Sequence, residues 1–166
     1  GKTILWKSVV EELRRQPQKW KFIFPRSAHR ARITPSALYD ALTEGLCGKI
    51  YCSSLQAKAG RAQSLLEDAD AAGQGVVMIV DESHCLRRDV LRSLKLFLEH
   101  GIGFKRLLSI LLIGQPELRV MLSDVDLAEV GRRVTLVELG GIHVQGGRAA
   151  ELAQFLDHKI GKKIWV

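Results

Sequence analysis

The 166 residues are 46% apolar and 26% charged, the balance of a soluble globular protein with room for one domain and a sizeable core. The longest apolar runs, Val76 to Val80 and Leu107 to Ile113, fall far short of the roughly 20 residues a membrane helix needs, and no apolar stretch of the signal-peptide kind opens the chain. The net charge of +7 is unevenly placed: residues 1–32 hold nine Lys or Arg against Glu11 and Glu12, and residues 33–166 hold sixteen of each sign, so an anionic partner is expected near the N-terminal part of the fold.

In chain order, residues 2–16 read as a helix, with Ile4, Leu5, Val9, Val10 and Leu13 on one face and Pro17 just beyond it. Trp20 to Pro25 alternates and reads as a short strand. Residues 26–33 form a basic loop. Thr34-Pro35 pairs an N-capping hydroxyl with a proline at the first helical position, and predicts a helix to about Leu46. Residues 53–72 predict a helix whose inner face carries Leu55, Ala59, Ala62, Leu65, Leu66 and Ala69, broken by Gly73 and Gly75. Val76 to Val80 is a β-branched apolar run, the pattern of a parallel strand buried on both faces.

A helix from Arg88 to Glu99 follows, ended by His100-Gly101. Leu107 to Ile113 predicts a second buried strand, Pro116 to Leu122 and Leu127 to Val130 two short helices, and Val134 to Leu139 a third buried strand. Gly146-Gly147 precedes a last amphipathic helix, Arg148 to Lys159. Strands alternating with helices give an α/β fold with a mostly parallel sheet. The three cysteines, Cys47, Cys52 and Cys85, are odd in number and form no CxxC pair. Small side chains in a reduced setting are expected, rather than a disulfide framework or a zinc site built on Cys47 and Cys52.

Four short signals carry chemistry. Gly1-Lys2-Thr3 has the last three positions of the phosphate-cradling loop GxxxxGK[ST], in which the ammonium reaches phosphates and the hydroxyl binds Mg2+. By itself it equally suits an ordinary charged helix start. Asp81-Glu82, at the end of the Val76 to Val80 strand, would place one carboxylate in a Mg2+ shell and the other against the attacking water. Two solvated acids before a helix give the same string. Gln115 closes the next strand, where an amide could orient water or touch a γ-phosphate, or merely make the turn before Pro116. Arg132 and Arg133 precede the last strand, where they could reach a neighbouring subunit's γ-phosphate or lie on the surface as solvated charge.

Taken in this order, the four signals resemble the AAA+ ATPases, and the resemblance runs over nearly the whole chain. More narrowly, Asp81-Glu82-Ser83-His84-Cys85-Leu86 looks like the DEAHxL box of the group containing ExeA, TnsC, TniB and the Mu transposition protein B, with Ser83 in place of Ala. Gly114-Gln115-Pro116-Glu117-Leu118 is similar to the GQPEL of that group. The resemblance implies a three-layer α/β/α P-loop NTPase core over residues 1–145, with the family's first strand and the early P-loop glycines absent before Gly1. Residues 146–166 would be the start of a helical lid. It implies ATP and Mg2+ as ligands, with Gly1, Lys2, Thr3 and Asp81 holding the nucleotide and Thr3 and Asp81 the metal. Glu82, Gln115, Arg132 and Arg133 would act in hydrolysis, and His84 would be structural.

With no signal-peptide pattern and no disulfide framework, a bacterial, cytoplasmic setting is the simplest expectation, and the resemblance implies assembly of identical subunits into a ring or filament. The leading expectation is a regulator of transposition that binds double-stranded DNA and recruits or activates a transposase. Arg26, Arg30 and Arg32, with His29 beside them, are the DNA-facing candidates, since in that group this loop faces DNA and Lys and Arg contacts to phosphate give sequence-independent affinity. The alternative is an ExeA-like ATPase of type II secretion, coupling hydrolysis to envelope assembly. A third, weaker reading is an origin-recognition or signalling ATPase.

Overall fold

The computed structural model describes Lys7, Val10, Glu11 and residues 19–25, 33–50 and 54–137. The chain divides into two compact units, Gly1–Thr135 and Leu136–Val166, and apart from Leu136 and Val137 the second lies outside the described residues. Lys7, Val10 and Glu11 are helical, as expected for the first segment.

The capping chemistry places the first crossover. Thr34 sits in extended backbone and its hydroxyl accepts the Ala37 N–H at 3.2 Å, opening helix α1, Pro35–Cys47. Gly48 closes α1 in the left-handed conformation (φ 72°), its N–H returning to the Glu44 carbonyl, a cap that a residue without a Cβ makes at no steric cost. Ser54 caps helix α2, Leu55–Ala71, in the same way as Thr34 caps α1. The inner face of α2 is Ala62, Leu65, Leu66 and Ala69, but Leu55 is exposed. Lys58 takes a buried place instead, its ammonium 2.6 and 2.7 Å from the two Asp40 carboxylate oxygens and 2.9 Å from the Ser36 hydroxyl. A buried ammonium needs such partners, and these join α2 to α1.

Before and after this helical pair run strands β1, Trp20–Ile23, and β2, Gly75–Val80, parallel from Trp20↔Gly75 to Ile23↔Met78. Helix α3, Arg88–Leu98, comes next. It leads into an antiparallel hairpin that the apolar periodicity does not announce: β3, Gly101–Ile102, and β4, Lys105–Arg106, turning at Gly103. The chain then enters β5, Leu108–Leu112, parallel to β2 from Val76↔Leu108 to Val80↔Leu112. The larger described sheet has the order β1-β2-β5, with β2 in the middle. Val76, Met78, Ile79 and Val80 are buried accordingly. Helix α4, Pro116–Ser123, and the one-turn helix α5, Ala128–Gly131, follow β5.

Two strand expectations need correction. The strand at Leu107 to Ile113 exists but is not buried on both faces, because Ser109 and Leu111 are exposed. Among the described residues it pairs with β2 alone. Residues 134–137 are not strand, and Leu136 and Val137 are exposed. The Val134 N–H is used in a turn with the Gly131 carbonyl rather than in a ladder. Apolar β-branched residues make a strand only where a partner edge is aligned with them. Glu138 and Leu139 lie outside the described residues, as does the expected helix from Arg148 to Lys159.

The core gathers Leu38, Tyr39 and Leu42 of α1, Leu66 of α2, Met78 and Val80 of β2, and Val90, Leu91, Leu94 and Phe97 of α3. One polar chain runs along it. His100 Nδ1 donates to Gln63 Oε1 at 2.9 Å, Tyr39 donates its hydroxyl to His100 Nε2 at 3.2 Å, and the Gln63 amide donates to the Gly101 carbonyl at 3.1 Å. Every member of this buried chain is satisfied with His100 neutral. Burial holds the His100 pKa below its ordinary 6.5, opposed by the neighbouring Glu99 carboxylate.

The unfolded chain therefore takes up a proton at pH values where the folded chain does not. His100 contributes its full stability above about pH 6.5, and that contribution falls as the pH drops below it, by at most about 1.4 kcal/mol per pH unit for one proton. Melting temperature followed from about pH 7.5 to 5 should show this loss, and His100→Gln should flatten the curve. A slope unchanged by the substitution would move the effect to another group.

Candidate functional site

Parallel sheets offer ligands the carboxyl ends of their strands, and here two such ends are locked together. The Ile113 N–H donates to the Val80 carbonyl at 2.9 Å, and the Ser83 N–H returns to the Ile113 carbonyl at 2.8 Å. The exits of β2 and β5 are thus fixed beside each other by backbone alone. Ser83 is wholly buried and its hydroxyl donates to the Val80 carbonyl at 2.7 Å, so the exchange of Ala for Ser in the DEAHxL pattern is accommodated without an unpaired group.

At this double exit stand Asp81, Glu82 and Gln115. Asp81 is partly buried, and its Oδ1 accepts the Glu82 N–H at 2.9 Å. Glu82 adopts φ 56° and ψ 39°, the one positive φ outside glycine among the described residues. A Glu in this conformation is strained by about 1 to 3 kcal/mol, the kind of local strain that clusters at functional sites. It also turns the side chain back over the short 3₁₀ turn Ser83–Cys85, so that Glu82 Oε2 lies 3.5 Å from His84 Nε2. The Gln115 N–H points to the other ring nitrogen of His84, Nδ1, at 3.4 Å. His84 thereby bridges the ends of both strands, a role that neither its spacing nor its residue type reveals. Gly114 permits the approach: a Cβ there would come within 2.9 Å of Leu118 Cδ2 and 3.2 Å of the His84 backbone nitrogen.

Arg132 and Arg133 follow α5 and are exposed. Leu127 and Val130, both buried, fix this segment on the core. Outside it, Arg88, Arg92 and Lys95 form a stripe on α3 that pairs with Asp124 at 2.5 Å, Asp126 at 3.5 Å and Glu129 at 2.8 Å. Exposed pairs contribute little each, and these three join α3 to the segment from Asp124 to Glu129. The hydrogen bond and charge of Lys95, with Arg133 and Arg132 adding smaller attractions, hold the Glu129 carboxyl below its ordinary range. Gly1, Lys2, Thr3, Arg26, Arg30 and Arg32 lie outside the described residues. Of the sequence candidates, the structure brings together Asp81, Glu82 and Gln115.

Residues 1–122 match the AAA domain family. Over 65 residues, 39% of this chain, the sequence is 42% identical to General secretion pathway protein A of Aeromonas hydrophila, and the match covers 12% of that protein's length. Among solved structures, that of the Aeropyrum pernix ORC2 protein in its ADP form aligns with a TM-score of 0.54 at 17% identity, over 81% of this chain and 37% of that one. At this identity the likeness is one of fold, an open parallel α/β sheet of the P-loop NTPase kind. The chain thus spans much less than two thirds of either protein.

Proposed function

The chain belongs to the AAA domain family, and from that membership we propose that it hydrolyses ATP with Mg2+ as one subunit of a homo-oligomer. The observation that carries the reading is the pair of acids delivered by β2 beside Gln115 of the β5 exit, with backbone bonds fixing the two exits. Asp81 and the Thr3 hydroxyl would hold Mg2+, which favours oxygen donors alongside water and substrate phosphates. Bound there, Mg2+ would neutralise charge on the β- and γ-phosphate oxygens. Gly1 and Lys2 cradle the phosphates. Glu82 orients the attacking water and takes up its proton, which suits a carboxylate left half-exposed at the strand end. The Gln115 amide holds the γ-phosphate or the water in line. Residues 1–145 would form the nucleotide-binding core and residues 146–166 the start of a lid. Turnover by the full-length protein should require Mg2+ and be lost in Asp81→Asn. Hydrolysis that survives this change would remove Asp81 from the metal site.

For the work that hydrolysis drives, two readings stand. The likeness to General secretion pathway protein A favours a secretion ATPase. The concentration of positive charge in residues 1–32 favours a DNA-bound, cytoplasmic regulator of transposition that engages a transposase. Salt decides between them. On the DNA reading, affinity for duplex DNA falls with a slope of about 0.9 in log K against log salt per phosphate contact, and replacing Arg26, Arg30 and Arg32 by Ala reduces the slope by roughly two to three. Equilibrium binding at several salt concentrations gives that slope, and an unchanged value in the triple variant would exclude this loop as the DNA surface.

A further inference from the structure

We propose that Glu82, His84 and Cys85 form a binding site for Zn2+ or a similarly soft divalent ion, whose occupation withdraws Glu82 from hydrolysis. One ligand atom from each residue lies within 4.8 Å of the other two, the one such group among the described residues. His84 Nε2 is 3.5 Å from Glu82 Oε2 and 3.4 Å from Cys85 Sγ. A tetrahedral zinc ion, with bonds of about 2.0 to 2.3 Å, sets its ligand atoms about 3.3 to 3.6 Å apart. Two of the three edges therefore already have the length that the ion imposes.

The turn that brings the three residues together is fixed by its backbone. The left-handed Glu82 reverses the chain, and the Cys85 N–H closes the turn on the Glu82 carbonyl at 2.9 Å. Ser83, between them, is anchored at both its nitrogen and its hydroxyl. Glu82 and Cys85 are exposed and His84 is partly so, which leaves entry from solvent and a fourth position for water. The donors also select the ion: thiolate, imidazole and one carboxylate suit Zn2+, while Mg2+ and Ca2+ favour oxygen alone.

Binding has a defined proton balance. Cys85 releases its thiol proton to solvent. The Gln115 N–H pointing at Nδ1 places the neutral ring's proton on Nε2. When Nε2 takes the metal, that proton leaves it and Nδ1 becomes the protonated nitrogen, which opens the contact to Gln115. Occupation thus both captures Glu82 and releases the bridge between the strand ends.

The effect on turnover rests on the hydrolytic role of Glu82, whereas the site itself does not, and the experiment separates the two. Co2+ is titrated into the full-length protein, without nucleotide or thiol reductant, in a background with Cys47 and Cys52 replaced by Ser. One equivalent should produce thiolate-to-cobalt absorption in the near ultraviolet, bleached by Zn2+ and absent in Cys85→Ser. Zn2+ should then slow ATP turnover of the Cys85 protein, and Cys85→Ser, active without metal, should need at least about tenfold more Zn2+ for the same inhibition. No thiolate absorption, or absorption that persists in Cys85→Ser, overturns the site. Binding without any loss of turnover overturns its regulatory role. A metal-free protein that hydrolyses no ATP counts against the proposed function, and the cobalt spectrum still decides the site.

Discussion

In the full-length protein, Glu82→Gln should bind ATP with little change in affinity and hydrolyse it about 10² to 10⁴ times more slowly. The substitution keeps the size and shape of the side chain but removes the charge that orients water and receives its proton. Asp81 should stay in place, because its Oδ1 accepts the Glu82 backbone N–H, which the substitution leaves unchanged. Stability should change little as well, since half of the Glu82 side chain faces solvent and its one described ionic neighbour, His84, is 3.5 Å away. Lys2→Ala is the contrasting case. Loss of an ammonium that faces phosphate weakens nucleotide binding itself, so the two variants should separate in a nucleotide titration run beside a turnover assay. If Glu82→Gln turns over ATP at the wild-type rate, Glu82 has no part in the chemical step.

The double variant Arg132→Ala, Arg133→Ala should lose turnover by about 10³ to 10⁵, the range in which arginine fingers act. Both arginines are exposed, their pull on Glu129 is smaller than that of Lys95, and α5 is held chiefly by Leu127, Val130 and the ion pairs of α3. The loss would therefore be chemical rather than structural, and an unchanged melting temperature would mark it as such. The expected mode is in trans. A guanidinium from one subunit neutralises charge developing on the γ-phosphoryl oxygens in the site of the next. Mixing the double arginine variant with Glu82→Gln, each inactive alone, should restore hydrolysis at interfaces that join an intact Glu82 to an intact arginine pair. Mixtures that assemble and remain inactive would remove the shared site. A double variant that hydrolyses normally would make these residues surface charge.

Local signals in the sequence located the elements that matter most. Thr34-Pro35 marked the start of α1 within a residue, because a capping hydroxyl and a ring-fixed φ act on the nearest turn and need nothing distant. The unbroken apolar run before Asp81 identified β2 as a strand covered on both sides, and the two acids after it stand at its carboxyl end. Gly114-Gln115-Pro116 likewise read as a strand exit followed by a helix start, which is where Gln115 stands.

What the sequence determined alone, then, is the succession of strands and helices and the chemical character of the residues at the strand ends, since both depend on periodicity and on neighbours along the chain. Tertiary structure decided which strands are covered. Leu107 to Ile113 and Val134 to Leu139 carry the same apolar signature, yet among the described residues Leu111 is exposed, β5 pairs with β2 alone, and residues 134–137 join no strand. A ladder depends on a partner far away in sequence, and composition does not reveal whether that partner is aligned. The same holds for the site. No spacing rule says that Glu82 takes the left-handed conformation, that His84 joins it to Gln115, or that Cys85 comes within metal-binding distance of both Glu82 and His84. The contact of His84 with Gln115 exists because two parallel strands end at the same level, which the Val80↔Leu112 register sets, while the approach of Glu82, His84 and Cys85 to one another is made within the turn.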